Sequence, residues 1–238
     1  MTARPDVEAL LFDVFGTVVD WRTSIIDDLS RFGAQRQLSL DWAAFADDWR
    51  ALYQPAMEEV RSGRRAWTIL DVLHRESLDQ LCAKYGISGL PEADKDHINK
   101  VWHRLRPWPD AVEGLRRLKA RYIIGTLSNG NVGLLTRMAK FAALPWDVVL
   151  GAETARAYKP LAQAYLASAE LLNLTPGQVM LVAAHNGDLA AAASAGLRTA
   201  FVPRPGEYGP AQTRDLEPQR DWDVVADSFV SLAGAMHC

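Results

Sequence analysis

From Ala111 onward, apolar residues recur at helical spacing in stretches that alternate with short runs dense in Val, Ile and Leu. The pattern predicts a helix over 111–120 before a strand at Tyr122 to Leu127, and a helix over 134–141 before a strand at Asp147 to Leu150. A helix over 161–172 then precedes the strand Val179 to Ala183. A small-residue helix over 189–195, stopped by Gly196, precedes the strand Thr199 to Val202. Strands separated by helices cannot pair as hairpins. They lie parallel, and the helices cover both faces of one sheet. The class is α/β, with a Rossmann-like parallel-sheet core.

One more strand stands before this series. Leu10-Leu11-Phe12-Asp13-Val14-Phe15-Gly16-Thr17 is an apolar run that rises to a single acid and breaks at Gly, as a buried strand does when it delivers a carboxylate to the open end of a sheet. Such a carboxylate either caps the following turn or attacks an electrophile and forms an ester. Between this strand and Pro107-Trp108-Pro109-Asp110 the pattern is helical throughout. Trp42, Phe45, Trp49, Leu52 and Ala56 recur at helical spacing, with Ser39 or Asp41 as the cap. A second helix carries Ile69, Val72, Leu73, Leu81 and Tyr85 and stops at Gly86, and a third follows Pro91 to Val101, Trp102 and Leu105. The block contains no strand signal. Because the first strand must join the sheet, the block is an insertion: core over 1–21 and 107–238, helical cap over 22–106, with the two prolines as hinge.

Composition narrows the function. A hydrophobic content of 49% over 238 residues supplies a real core, and a net charge of -3 from 26 basic and 29 acidic residues leaves no basic footprint for nucleic acid or an anionic membrane. Cys82 and Cys238 are too few for a disulfide framework or a metal cluster, which points to a reducing compartment, read as the cytoplasm. Met1 to Asp6 reads as polar, without a leader, and no apolar run reaches membrane-spanning length. His74, His97 and His103 lack paired ligand spacing. Cys82 reads as a small buried hydrophobe, and the Pro-rich loop from Val202 to Pro210 as a connector.

Open parallel sheets bind ligands at the carboxyl ends of their strands. Asp13 with Thr17, Ser128 with Asn129, Lys159, and His185 to Asp188 all fall at such ends. Pro160 reads as a helix start and Tyr165 as two turns into that helix.

In order, Phe12-Asp13-Val14-Phe15-Gly16-Thr17, Leu127-Ser128-Asn129-Gly130, Tyr158-Lys159-Pro160 with Tyr165, and Val182 to Asp188 resemble the four motifs of the haloacid dehalogenase superfamily, and within it the L-2-haloacid dehalogenases. The resemblance implies hydrolytic dehalogenation of a small halogenated carboxylate through an ester on Asp13, without a metal or other cofactor. Lys159 would be the counter-charge and Asp188 the water-activating acid. Thr17 would bond the Asp13 carboxylate. Val14, Phe15, Ser128, Asn129 and Tyr165 would contact substrate, and Arg50, in Asp47-Asp48-Trp49-Arg50, would meet the halide. Relatives of this kind are often homodimers.

Two departures matter. Phe15 stands where the superfamily's magnesium-dependent phosphatases carry the acid that protonates a leaving alkoxide, and Ala184 where they carry a second metal-holding acid. His185 and Ala183 replace the Asn and Ser of better-known dehalogenases, so His185 is expected to share the base role of Asp188 or to position its water. A magnesium-dependent phosphatase and a non-catalytic small-anion binding module are the competing readings.

Overall fold

The computed structural model describes residues 6–238, so all but Asp6 of the expected leaderless start lies outside the described residues. β1 (Ala9–Phe12) is one of the two middle strands of a six-stranded parallel sheet. The chain then runs through a short β2 (Val19–Asp20) into α1 (Trp21–Arg36), α2 (Trp42–Arg61), α3 (Leu70–Lys84) and α4 (Glu92–Asn99). It returns through β3 (Arg106–Pro107), which pairs antiparallel with β2, so the helical block leaves and re-enters at one place. This ribbon is a strand pair the sequence reading missed; two residues per strand are too few to show a period.

Beyond it come α5 (Ala111–Lys119), β4 (Ile123–Ser128), α6 (Val132–Ala142), β5 (Val148–Gly151), α7 (Ala152–Ala155), α8 (Ala162–Leu171), β6 (Val179–Ala183), α9 (Asn186–Ser194) and β7 (Arg198–Phe201). The chain closes with β8 (Val224–Val225) and α10 (Phe229–Ala235). The order across the sheet is β5-β4-β1-β6-β7-β8. Connections therefore run one way from β1 to β5 and the other way from β6 to β8, leaving a crevice at the carboxyl end of β1.

The β1 side chains divide between two cores, as a period of two requires. Leu10 and Phe12 join Ile124, Met180 and Val182 on the face covered by α5, α6 and α10. Ala9 and Leu11 join Leu127, Leu181, Phe201, Tyr165 and Leu189 on the face covered by α8 and α9. The first core continues into the helical block through Phe15, whose ring meets Trp102 at 5.8 Å and Tyr53 at 6.3 Å. Asp20 and Asp41 cap α1 and α2, accepting from the Thr23 and Ala44 amides at 2.9 Å. The stripe of Trp42, Phe45 and Trp49 packs within the block, and Cys82 is buried as expected.

His74 on α3 lies flat on Trp102, with ring centroids 4.2 Å apart, and neither ring nitrogen has a hydrogen-bond partner. Burial, partly opposed by Asp71, holds its pKa down to about 3, against an ordinary 6.5. Between those values the unfolded chain takes a proton that the folded chain refuses, so this residue destabilises the fold as the pH falls. His74→Phe keeps the stacked ring and removes the penalty. At pH 5 it is expected to gain about 2 kcal/mol more than at pH 7.5, read as a larger rise in thermal midpoint at the lower pH. An equal shift at both pH values would refute the assignment.

Candidate active site

Asp13 is the first residue past β1, and its amide still bonds to the Val182 carbonyl at 3.0 Å, which fixes the carboxylate at the mouth of the crevice. Three donors reach it. Lys159 Nζ donates to Oδ1 at 2.9 Å, while Thr17 Oγ1 donates to Oδ2 at 2.7 Å and His185 Nδ1 lies 3.1 Å from Oδ2. Burial alone would push the Asp13 carboxyl up; Lys159 and His185 outweigh it and hold the group far below the usual carboxylate range.

Lys159 lies in the loop between α7 and α8, with its backbone amide bonded to Asn129 Oδ1 at 2.8 Å. Its ammonium also donates to Asp188 Oδ2 at 2.5 Å, and the Tyr165 hydroxyl donates to Asp188 Oδ1 at 2.6 Å. Burial opposes the charge on Lys159, but Asp13 and Asp188 raise its pKa above the ordinary lysine value. From the helical block, Arg61 Nη1 reaches the Lys159 carbonyl at 2.9 Å.

Several expected placements change. α8 begins at Ala162 with Leu161 as its cap, so Pro160 lies outside it and Tyr165 falls in its first turn, facing Asp188. α6 begins at Val132, and its first amide is taken by Glu153 at 2.9 Å, while Ser128 Oγ accepts from the Gly130 amide at 3.2 Å. Two amides of that turn are therefore satisfied from within the protein. Ser128, Val14 and Thr17 are buried behind the cleft wall rather than lining it. The Val14 carbonyl instead closes the turn by accepting from Val18 at 3.0 Å.

His185 caps α9, which starts three residues earlier than the apolar pattern suggested. Its bonds run to Asp13 and, through Nε2 at 2.9 Å, to Glu207 Oε2, not to Asp188. Carboxylates only accept, so both ring nitrogens carry protons, which corrects the expected base role. Burial favours the neutral ring, yet Glu207 and Asp13 raise the pKa well above 6.5.

Glu207 is the residue the sequence reading missed. Only 1% exposed, it also accepts from Trp21 Nε1 at 3.0 Å. Gly16 makes room for it: at φ +88°, a Cβ there would stand 2.0 Å from Glu207 Oε1. The loop read as a connector thus delivers Glu207, and Tyr208 beside it lines the cleft. A Pro-rich loop carrying one acid gives no periodic signal by which to find it.

The cleft measures about 720 Å³ and is lined by Asp13, Phe15, Lys159, Tyr165, His185 and Asp188 below, and by Arg50, Tyr53 and Arg61 from α2 above. Asp47 and Asp48 lie close to Arg50 along α2 but do not pair with it. Its neighbours go elsewhere, Asp47 to Arg22 at 2.7 Å and Asp48 to Lys84 at 2.5 Å. The Arg50 guanidinium instead lies over Tyr53 at 4.3 Å and Trp21 at 5.3 Å, with Nη1 buried and unpartnered.

The haloacid dehalogenase-like hydrolase family model matches residues 7–196. This chain belongs to the haloacid dehalogenase-like hydrolases. The crystal structure of a defluorinating L-2-haloacid dehalogenase is similar to this hydrolase, covering 98% of this chain and 96% of the other, at 52% identity and a TM-score of 0.96. A second L-2-haloacid dehalogenase structure is 46% identical, with a TM-score of 0.95, covering 97% and 99%. The (S)-2-haloacid dehalogenase 4A of Burkholderia cepacia is 26% identical over 95% of this chain and 98% of its own.

Many superfamily members use magnesium, and the residues here do not fit it. Lys159 Nζ stands between the two carboxylates that would hold an ion, and Ala184 offers no oxygen ligand from its side chain. Among the described residues, no group of three or more His, Cys, Asp or Glu can hold a metal.

Proposed function

We propose that this hydrolase converts short 2-haloalkanoic acids to 2-hydroxy acids and halide through an ester on Asp13. The observation that carries the reading is the Lys159 ammonium between Asp13 and Asp188, which keeps a buried carboxylate ionised and ready to attack. Asp13 displaces halide from C2 with inversion. The departing anion is received by Arg50, whose fixed guanidinium stabilises charge as it develops. Phe15 supplies no proton, which a halide does not need and an alkoxide would. The Asn129 end of the cleft takes the substrate carboxylate. Asp188 accepts the proton of the water that opens the ester.

The likeness to a defluorinating enzyme brings 2-fluoro acids into the proposed substrate range. The same reading divides the chain into a core over 1–21 and 107–238 and a cap over 22–106. It assigns the protein to the cytoplasm, as a homodimer.

Turnover of (S)-2-chloropropionate in heavy-oxygen water, with chelator present, tests the reading. Halide release with label in the Asp13 peptide is expected. Release without label would overturn the ester. Hydrolysis of a phosphoester, abolished by chelator, would favour the phosphatase instead.

A further inference from the structure

The two oxygens of Asp13 are not equivalent. Oδ1 takes one hydrogen bond, from Lys159, and keeps a lone pair; Oδ2 faces both Thr17 and His185, and its lone pairs are committed. An ester formed as proposed above therefore carries its alkyl group on Oδ1 and leaves Oδ2 as the carbonyl oxygen. Resting on that ester, we propose that Thr17 Oγ1 and His185 Nδ1 form the oxyanion hole for its hydrolysis, and that Glu207 is the positioning residue that keeps His185 a donor.

The direction of each donor is set by its other partner. Thr17 Oγ1 accepts from the Ala184 amide at 2.9 Å, so its own proton turns to Oδ2. His185 Nε2 faces the Glu207 carboxylate, which only accepts. Once Asp13 is esterified its charge is gone, and Glu207 remains as the anion holding the ring protonated at both nitrogens. Glu207 is itself locked by Trp21 and by the absent side chain at Gly16.

In the hydrolytic step, water oxygen bonds to Cγ of Asp13 and gives a proton to Asp188. The carbonyl electron pair moves onto Oδ2, where Thr17 and His185 meet it. Collapse restores the carbonyl, breaks the Cγ–Oδ1 bond and releases Oδ1 with the alkyl group as the hydroxy acid, which takes the proton from Asp188. The second water proton leaves Asp13 for solvent, so each turnover yields one halide, one hydroxy acid and one proton.

Single-turnover kinetics with (S)-2-chloropropionate separate the two steps. In Glu207→Gln a halide burst of one per site is expected to persist, while hydroxy acid appears roughly 10²- to 10³-fold more slowly. The intact-protein mass should then show alkylated enzyme. Hydroxylamine needs no base to attack. It should free the hydroxy acid from the ester of Asp188→Asn, leaving a hydroxamate on Asp13, and fail to do so efficiently in Glu207→Gln. Thr17→Val removes the other donor and should show the same split, which keeps the test intact should Glu207→Gln not fold. Equal slowing of halide and hydroxy acid in the folded variants, with no adduct, would overturn the oxyanion hole. Halide release by the native enzyme in heavy-oxygen water without label in Asp13 would instead end the ester reading.

Discussion

Asp13→Asn is expected to release no measurable halide from (S)-2-chloropropionate, a loss on the order of 10⁴-fold or more, while still folding. An amide lacks the charge that makes the carboxylate a nucleophile. It also cannot satisfy its surroundings, because every neighbour of Asp13 donates. Whichever position the new NH₂ occupies, it faces either the Lys159 ammonium or the Thr17 hydroxyl and His185 ring. Lys159 keeps Asp188 as a partner, so no buried cation is stranded. Halide release measured by ion-selective electrode, beside a thermal unfolding curve, checks both halves. A folded variant retaining more than about one part in a hundred of native turnover would remove Asp13 from the reaction.

Lys159→Met should cost both activity and stability. The ammonium and its two carboxylates are each about a tenth exposed or less, so its removal leaves two like charges buried together. Removing one partner from such an arrangement costs about 3–5 kcal/mol. Loss of the ammonium raises the Asp13 pKa, and a protonated Asp13 no longer attacks. The expected loss in rate is on the order of 10³-fold at neutral pH, with residual activity rising as the pH is raised.

The native enzyme shows the opposite sign. The folded pKa of Asp13 is depressed, so the stabilisation it gives is fully present above the unfolded value of 3.8 and is lost only as the pH falls through the much lower folded one. Lys159→Met with Asp188→Asn should recover part of the stability, because the repulsion is gone. A thermal midpoint for Lys159→Met equal to that of the native chain would contradict this account.

The α/β alternation, the inserted helices and the four strand-end polar groups were legible because burial writes a period into the sequence. Val179 to Ala183 reads as a strand since every residue in it is buried. Asp13, Lys159 and Asp188 could be named because each follows such an element. What had no period stayed hidden. The two-residue β2 and β3, the closing β8 and α10, and the irregular loop carrying Glu207 have too few turns or alternations to register. The start of α9 was misplaced because Asn186-Gly187-Asp188 is polar, and with it the partners of His185. Arg50 shows a second limit. Local spacing pairs it with Asp47 and Asp48, whereas residues distant in the chain, Arg22 and Lys84, claim both acids first.

The missing side chain at Gly16 has an evolutionary corollary. Its space is filled by a carboxylate from the far end of the chain, so neither position can drift alone. A lineage that places any larger residue at 16 must shorten or surrender the acid at 207 in the same step, and inherits a histidine whose charge is no longer guaranteed.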